Sequence, residues 1–326
     1  MTASTSPSLE RGAFVVSIDT ELAWGEAHKR AGSVAGGDGA AGAQPAGHHF
    51  EREREVIDRI LEVFTRHEIP GTWAVVGHLF LDRCDEHPDL KPPSYSWLSG
   101  DWLDVDPRSS AAEAPYHYGP DIVARLTACP VAQEVGSHSF SHVIVDDPGC
   151  GADVFASELA MARAVAEPAG VELRSFVYPR NAIAHLPTLA DAGFTSYRGR
   201  PSRPRLGGAA GLLDRVRPVA GSAVTPVRDD SGLWNIPQTY LFAPATARRR
   251  LPPALWARRP IGRLRQAARE RSLFHLWFHP YNVTAAPDRS IAALDRICAA
   301  AAKLRDAGRL DTLTMSDLAA HLTSGG

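Results

Sequence analysis

The sequence predicts a single α/β domain of the barrel type, and two observations support this. Apolar, strand-like runs alternate with amphipathic, helix-like segments from FVVSIDTELAWG near the amino terminus to LDTLTM and SDLAAHL near the carboxyl terminus. Repeated strand–helix units of this kind build a parallel sheet. A length of 326 residues suits one α/β barrel or two domains, and the unbroken alternation favours one domain over 1–326.

Hydrophobic periodicity defines the elements of the first half. After the strand FVVSIDTELAWG, the Gly/Ala-rich segment 25–49 has no periodicity, which predicts a loop. EREREVIDRILEVFTRHE has apolar residues at helical spacing, and IPGTWAVVGHLF predicts a second strand and the start of a helix. A second insertion, 84–119, is rich in Pro, Trp, Tyr and Asp. It is either a loop packed by its own aromatic residues or part of a substrate groove.

The alternation resumes after this insertion. Helix PDIVARLTA and strand VAQEVGSHS are followed by helix ADVFASELAMARAVAEPAG, strand RSFVYPR, helix LPTLADAGF and the short strand TSYRG. An irregular Arg/Pro-rich connection over 200–230 precedes LWNIPQTYLF. The basic segment 245–272 predicts one or two helices, because Pro252, Pro253 and Pro260 interrupt any single long one. Strand LFHLWFHP, a helix over 288–305, strand LDTLTM and helix SDLAAHL complete the pattern.

Charge and cysteine usage limit the classes of function. The formal net charge is −2, so the whole molecule has no bias toward nucleic acid or an anionic membrane, and we expect no nucleic-acid partner. The basic segment is either a solvated helix or a surface for a phosphate-bearing substrate or for peripheral membrane contact. Four scattered cysteines without a CxxC pair favour free packing thiols in a reducing compartment. No signal peptide and no apolar run of roughly 18–20 residues is evident, so we expect a cytoplasmic protein.

Two carboxylates end the first strand. Side chains alternate across a strand, so Asp19 and Glu21 share one face and converge. Two neighbouring buried anions repel, and they require a cation, a donor or a shared proton beside them. His138 and His142 in EVGSHSFSH also follow a strand, and α/β barrels build active sites at the carboxyl ends of their strands. One carboxylate with two histidines is a common open zinc site, so the pattern predicts a metal centre.

Two further strand ends carry polar residues. In LFHLWFHPYN, alternation directs His275, Trp277 and His279 toward the barrel interior. His279 precedes a proline at the strand end and is placed to act in catalysis, whereas His275 lies deeper and fits a hydrogen-bonded core residue. In FVYPRNAIAH, Arg180 is either a surface charge or a group that orients the base or the substrate.

Together these motifs resemble those of a known family. SIDTE, EVGSHSFSH, FVYPRN and FHLWFHP, in this order and with GTWAVVGHL between the first two, are similar to the motifs of the polysaccharide deacetylases, which are carbohydrate esterase family 4 with the NodB homology domain. The resemblance covers about Phe14 to Leu322. It implies a distorted parallel (β/α) barrel of about seven strands and a divalent metal, usually zinc. It also implies an activity, the removal of an acyl group, usually N-acetyl, from a sugar.

The resemblance implies roles for the residues of the first two motifs. His138 and His142 match the family's metal ligands, and Asp19 matches its general base. Thr20 stands where the family usually has a second, metal-binding aspartate. We therefore assign the missing ligand to Glu21, which shares the strand face of Asp19, while an exchange of roles between Asp19 and Glu21 remains open.

The later motifs imply the remaining roles. His279 matches the catalytic acid. Val177 occupies the position where the family commonly has an arginine, so any arginine function passes to Arg180. The candidate substrate-binding residues are Tyr178, Arg180, Asn181 and Trp277.

The sequence therefore predicts a metal-dependent hydrolase that removes an N-acetyl group from a sugar and gives acetate and an amino sugar. The expected substrate is a cytoplasmic precursor that is nucleotide-linked, lipid-linked or part of a natural product. In this hypothesis Asp19 takes a proton from water, the metal and a backbone N–H near Tyr178 stabilise the oxyanion, and His279 protonates the departing amine. Two alternatives remain, hydrolysis of a non-sugar amide or imide and a catalytically inactive sugar-binding module.

Overall fold

The computed structural model describes residues 9–27, 48–87, 89–200, 224–243 and 252–325. Its strands are β1 (Gly12–Thr20), β2 (Thr72–Val75), β3 (Glu134–Ser137), β4 (Ser175–Val177), β5 (Ser196–Arg198), β6 (Val227–Arg228), β7 (Trp234–Asn235), β8 (Tyr240–Leu241), β9 (Leu273–Phe278) and β10 (Leu310–Thr312). Its α-helices are α1 (His48–His67), α2 (Pro120–Thr127), α3 (Ala152–Ala166), α4 (Leu186–Asp191), α5 (Pro253–Glu270), α6 (Pro280–Thr284), α7 (Pro287–Asp306) and α8 (Met315–Ser324). Short 3-10 helices span Leu22–Glu26, Gly77–Phe80, Trp102–Val105, Glu167–Ala169 and Pro179–Asn181.

All strands of the described residues belong to one sheet. Its order is β6-β7-β5-β4-β3-β2-β1-β9-β8, and β10 pairs with the first residues of β1. Every neighbouring pair is parallel except β6 and β7. Strand β1 lies between β2 and β9, so the carboxyl ends of these three strands meet at one edge of the sheet.

The two ends of this sheet are joined by one extended segment. Strands β7 and β8 are its successive parts. The first part pairs with β5, where the N–H of Ile236 donates to the carbonyl of Tyr197 at 2.9 Å. The second part pairs with β9, where the N–H of Phe242 donates to the carbonyl of Trp277 at 2.9 Å. The predicted α/β barrel is thereby confirmed. The described strands outnumber the predicted seven because the closing segment counts as two strands, and β6 and β10 lie outside the ring.

Strand alternation separates two apolar layers. Phe14, Val16 and Ile18 of β1 pack in the layer beneath the helices. Val15 faces the interior, where it packs in a cluster with Met315 of α8. Helix α8 covers the amino-terminal end of the barrel, because the N–H of Met315 donates to the hydroxyl of Thr72, the first residue of β2.

Two of the predicted loop insertions lie mostly outside the described residues, namely 28–47 of the first and 201–223 of the third. The second insertion packs against the barrel. Its Trp102 is fully buried and donates its indole N–H to the carbonyl of Ser141 at 3.1 Å. At least part of this segment therefore forms a wall over the carboxyl end of β3.

The described part of the basic segment is one helix, α5. The expectation that Pro260 would interrupt it is wrong, because Pro260 lies inside the helix and is buried on the same face as Trp256 and Leu264. Packing of that face compensates for the backbone hydrogen bond that a proline cannot make. Arg248, Arg249 and Arg250 lie outside the described residues. Among the described helices, none has the length and apolar composition needed to span a membrane.

Helix α5 lies so close to β1 that Gly12 should tolerate no side chain. A Cβ atom at Gly12 would lie 2.6 Å from the carbonyl oxygen of Ala267 and 2.8 Å from the Cα of Ala268. Because both are backbone atoms, Gly12→Ala should lower the free energy of unfolding by about 1–3 kcal/mol in chemical denaturation. Gly262→Ala in the same helix is the matched control. A Cβ there meets no described atom within 4 Å, so its stability should be unchanged or up to about 1 kcal/mol higher.

Candidate active site

The barrel brings five polar side chains from four strand ends to one place. Asp19 is the penultimate residue of β1, and Glu21 follows that strand directly. His138 follows β3, and His279 follows β9. Arg198 is the last residue of β5. Because the strands are parallel, their carboxyl ends place all five groups at the same mouth of the barrel.

Three imidazoles converge on one oxygen of Glu21. Its Oε1 lies 3.0 Å from Nε2 of His138, 3.3 Å from Nε2 of His142 and 3.2 Å from Nε2 of His279. The Glu21 side chain is only 9% exposed. Burial by itself would raise the pKa of Glu21, but His279, His142 and His138 together hold it well below its usual range. Glu21 is therefore ionised, and the Nε2 atoms surround the position that a cation would take.

The tautomer of His138 shows what this arrangement requires. Its Nδ1 lies 2.7 Å from the carbonyl oxygen of Val177, and a carbonyl only accepts hydrogen bonds, so Nδ1 carries a proton. In a neutral imidazole the Nε2 atom then has a lone pair, which faces the Glu21 carboxylate 3.0 Å away. Two acceptors at this distance repel. A proton on Nε2 or a metal ion between the two atoms removes the repulsion.

His142 carries the second observation that favours a metal. Both of its ring nitrogens are buried and have no hydrogen-bond partner among the described residues. Burial lowers the pKa of His142, which keeps the ring neutral and its lone pair available. One candidate metal group consists of Glu21, His138 and His142, and a second group, Asp19, Glu21 and His279, shares Glu21 with the first. The donors of the first group fit a divalent transition metal.

Thr20 does not take part in this cluster. Its buried hydroxyl is directed back to the carbonyl of Ile18 at 3.5 Å, on the strand face opposite to Asp19 and Glu21. This geometry supports the choice of Glu21 as the ligand that replaces the family's second aspartate.

Asp19 has a partner that sequence reasoning missed. Nη1 and Nη2 of Arg198 bind Oδ1 and Oδ2 of Asp19 at 2.5 and 2.6 Å, and Nη1 also donates to the hydroxyl of Ser17 at 3.0 Å. The guanidinium carbon lies 4.5 Å from the ring centroid of Trp277, a cation–π contact. Burial raises the pKa of Asp19, but the charges of Arg198 and then His279 hold it below its usual range. The arginine that fixes the ionised Asp19 carboxylate is therefore on β5.

This geometry corrects the assignment of the arginine function to Arg180. Arg180 is exposed, at a backbone φ of 55°, and lines a cavity of about 440 Å³ with Trp97, Ile144, Asp146 and Ala182. Its partner in the sequence argument, Asp19, is already bound on both oxygens by Arg198. Arg180 and Trp97 stay candidates for substrate contacts in that cavity. The cavity lies close to the HxxxH loop, because its lining residue Ile144 is two residues after His142 in the sequence.

The substrate role assigned to Tyr178 also needs correction. Its ring is fully buried against Phe155, Phe176 and Tyr197, and its hydroxyl donates to the carbonyl of Ala184 at 2.9 Å. The side chain is part of the core and supports the loop after β4. Asn181 in that loop has φ 56°, and its Oδ1 has no hydrogen-bond partner among the described residues.

His279 lies at the mouth of the site. Its Nε2 is 3.5 Å from Oδ2 of Asp19, its ring stacks on Tyr281 at 4.4 Å, and its side chain is 14% exposed. Burial would lower the pKa of His279, but the charge of Glu21 and then that of Asp19 raise it to about 9. His275 lies deeper, as expected, with Nε2 2.8 Å from the Ser17 hydroxyl and the pKa lowered by burial to about 3.

Two buried carboxyl groups behind the site were not found from the sequence. Glu158 of α3 accepts hydrogen bonds from the backbone N–H groups of Phe140 and Ser141, both at 2.8 Å, and so holds the loop between His138 and His142. Glu53 of α1 is also buried, and burial followed by the charge of Glu21 raises its pKa to about 8. Helical periodicity would have predicted buried positions for both, but not the contacts of Glu158 with the loop between His138 and His142.

The buried ion pair of Asp19 and Arg198 should make a large contribution to the free energy of unfolding. Arg198→Met leaves a buried carboxylate unpaired, so the free energy of unfolding should fall by about 3–5 kcal/mol at neutral pH. The pKa of Asp19 is depressed in the native protein, so its stabilising effect is present above about pH 4 and lost below it. In the variant, burial without the arginine raises the pKa of Asp19, so Asp19 takes up a proton at a pH at which it is still ionised in the wild type, and the deficit should shrink on acidification to pH 4. Urea denaturation at pH 7 and pH 4 measures both quantities.

Asp19→Asn added to Arg198→Met should recover part of the lost stability, because it removes the unpaired charge that Arg198→Met leaves at Asp19. Exposed Arg180→Met is the matched control and should change stability by less than about 0.5 kcal/mol. Equal effects of the two arginine substitutions would contradict the assignment of Arg198.

Comparisons with known proteins identify the fold of this chain. No family model matches this sequence, and no curated sequence is significantly similar to it. A Mycobacterium smegmatis protein described as a polysaccharide deacetylase is 16% identical over 100% of this chain and 96% of its own, with a TM-score of 0.57. A family 4 carbohydrate esterase from Streptomyces lividans in complex with acetate is 12% identical over 94% and 93%, with a TM-score of 0.42. At these identities the likeness concerns the fold alone, and this chain has the fold of the polysaccharide deacetylases, as its motifs predicted.

Proposed function

We propose that this protein is a metal-dependent hydrolase that removes an N-acetyl group from a sugar and produces acetate and an amino sugar. One observation carries the proposal, the convergence of three imidazole Nε2 atoms on the buried carboxylate of Glu21, next to a second carboxylate that an arginine holds ionised. The similar fold of a protein described as a polysaccharide deacetylase supports a sugar as the substrate. The carrier of the sugar and a cytoplasmic location stay predictions from the sequence.

Glu21, His138 and His142 would hold the metal, which we propose to be zinc or another divalent transition metal. Such an ion supplies Lewis acidity, which polarises the acetyl carbonyl and makes a water molecule more acidic. The carbonyl of Val177 fixes the His138 ring through Nδ1, and Glu158 fixes the loop between the two histidines. These outer contacts keep the ligand atoms in place when substrate enters.

Asp19 is the proposed general base. Arg198 keeps it ionised, and each of its oxygens retains a lone pair beyond the one that accepts from the guanidinium. A carboxylate oxygen of Asp19 can therefore take the proton of the attacking water. Arg198 weakens Asp19 as a base, but it also fixes the carboxylate plane and stacks on Trp277. This fixed position at the barrel mouth supports Asp19 as the base.

His279 is the proposed general acid. The charges of Glu21 and Asp19 favour the protonated imidazole at neutral pH. A cation bound at Glu21 would cancel part of this effect and bring the pKa of His279 back toward its ordinary value, near the range in which an acid works best. Nδ1 of His279 faces Oδ1 of Asn282 at 3.4 Å, so Nε2 is the nitrogen that faces the site and gives its proton to the leaving amine.

The function is tested by the metal content and the products of the full chain. Elemental analysis of protein purified without added metal, followed by assays of acetate release, covers both parts of the proposal. The assay panel should contain N-acetylated monosaccharides, nucleotide sugars and oligosaccharides, together with non-sugar amides and imides. Turnover of the non-sugar compounds alone would support the alternative amide hydrolase, and a protein with neither bound metal nor turnover would support the inactive sugar-binding module.

The two histidines of the HxxxH loop should be essential for metal binding. His138→Ala and His142→Ala should each remove activity and lower metal occupancy, because each loses one of three ligands. Both variants should stay folded, since the large apolar core does not depend on the site. Circular dichroism checks the fold. Full occupancy and an unchanged rate in either variant would refute the ligand assignment.

Substitutions of the two carboxylates should have different effects on metal content and kcat. Glu21→Gln should release the metal, because it removes the carboxylate at the centre of the three imidazoles. Asp19→Asn should retain the metal and lower kcat by roughly 10²–10⁴, the usual scale for loss of general acid–base catalysis. Metal content and kcat of both variants decide the matter. Metal loss in Asp19→Asn with retention in Glu21→Gln would exchange the two roles.

A further inference from the structure

We propose a second metal site, formed by His78, Cys84, His87 and Asp106, that binds zinc and fixes the second insertion to the barrel. Each of these residues offers one ligand atom, and the four atoms lie within 4.8 Å of one another. His78 belongs to the 3-10 helix after β2, and the other three residues belong to the insertion. This group shares no residue with the proposed catalytic centre.

The spacing of the ligand atoms suits a tetrahedral ion. Oδ2 of Asp106 lies 3.3 Å from Nε2 of His78 and 2.6 Å from Nε2 of His87. Nε2 of His87 lies 3.1 Å from Sγ of Cys84. Zinc–nitrogen and zinc–oxygen bonds of about 2.0–2.2 Å place neighbouring ligands of a tetrahedron roughly 3.3–3.6 Å apart. Small outward shifts of His87 and Cys84 would admit the ion.

His78 supplies the observation that favours a cation. Its Nδ1 lies 2.9 Å from the carbonyl oxygen of His117, so Nδ1 carries a proton and Nε2 has a lone pair when the ring is neutral. That Nε2 is fully buried, has no hydrogen-bond partner among the described residues, and faces the carboxylate of Asp106. Two acceptors thus face each other in a dry environment, which is unfavourable unless a positive charge lies between them.

Hydrogen bonds from outside the cluster orient its ligands, as is usual for metal sites. The carbonyl of His117 orients the His78 ring, and the backbone N–H of Arg108 donates to Oδ1 of Asp106 at 3.0 Å, which leaves Oδ2 for the cluster. Thiol and imidazole donors select zinc and other late transition metals over magnesium and calcium. Four protein ligands leave no open position, so the site would be structural.

The position of the cluster indicates what the metal does. The ring of His78 lies 5.7 Å from that of Phe140 and 4.6 Å from that of Trp24. Phe140 lies in the loop between His138 and His142, and Trp24 lies in the 3-10 helix after Glu21. A metal at the cluster would therefore fix the insertion against the two segments that carry the catalytic ligands, and this is the role we infer for it.

Cobalt substitution tests the proposal, because of the two proposed metal sites only this one contains a thiol. The full chain is produced in cobalt-supplemented medium, and its near-ultraviolet absorption is recorded together with its metal content. Wild type should show thiolate-to-cobalt charge transfer and bind two ions per chain. Cys84→Ser should lose the band and one ion. Cys129→Ser, at a half-buried cysteine outside the cluster, is the matched control and should keep both.

His142→Ala separates this proposal from the proposed function. It should lose the catalytic ion and keep the charge-transfer band, since it leaves the second cluster intact. Absence of the band in cobalt-containing wild type, or its persistence in Cys84→Ser, would overturn the proposal.

A second measurement on wild type avoids a variant that does not fold. Iodoacetamide labelling, read by mass spectrometry before and after treatment with a chelator, should increase at Cys84 and stay constant at buried Cys298. An unchanged yield at Cys84 would contradict the site.

Discussion

The burial of two carboxylates at the end of β1 is the constraint on which the rest of the site depends. Asp19 and Glu21 project from the same strand face into a barrel mouth where both are almost completely buried. An ionised carboxylate in such a place is unfavourable without a charged or donating partner. Arg198 from β5 satisfies Asp19, and the imidazoles that follow β3 and β9 surround Glu21. Residues at the ends of three other strands, β3, β5 and β9, thereby compensate for the two charges at the end of β1.

The two carboxylates differ because their partners differ. Asp19 is bound on both oxygens by one guanidinium, which cannot lose its proton, so the carboxylate stays ionised and fixed. Glu21 is surrounded by imidazoles, which can exchange a proton for a metal ion. The environment thus favours Asp19 as the base and Glu21 as the ligand. The same principle, two acceptors that face each other unless a cation lies between them, applies to His78 and Asp106.

The second insertion connects the fold to the site. Trp97 and Trp102 pack with Tyr95, so the insertion is packed by its own aromatic residues. Trp97 also lines the cavity of Arg180, and the part of a substrate groove stays a prediction. The insertion is a packed wall on its inner side and a cavity lining on its outer side. Identity of 16% to a chain with the same fold indicates that such packing can be met by different residues while the sheet is retained.

The sequence by itself determined the barrel class, the faces of β1 and β9, and the placement of Asp19, Glu21, His138, His142 and His279 at strand ends. Each of these follows from local periodicity, because side-chain direction in a strand depends on the strand alone. The tertiary structure decided which distant side chains contact these residues. Arg198 lies in the predicted short strand TSYRG, whose three paired residues are too few for alternation to show which face is buried, and it is 179 residues from Asp19. Likewise, only the fold turns Tyr178 into the core, buries Pro260 within one helix, and brings His78 to Asp106. Such contacts depend on how distant segments pack, which local sequence patterns do not specify.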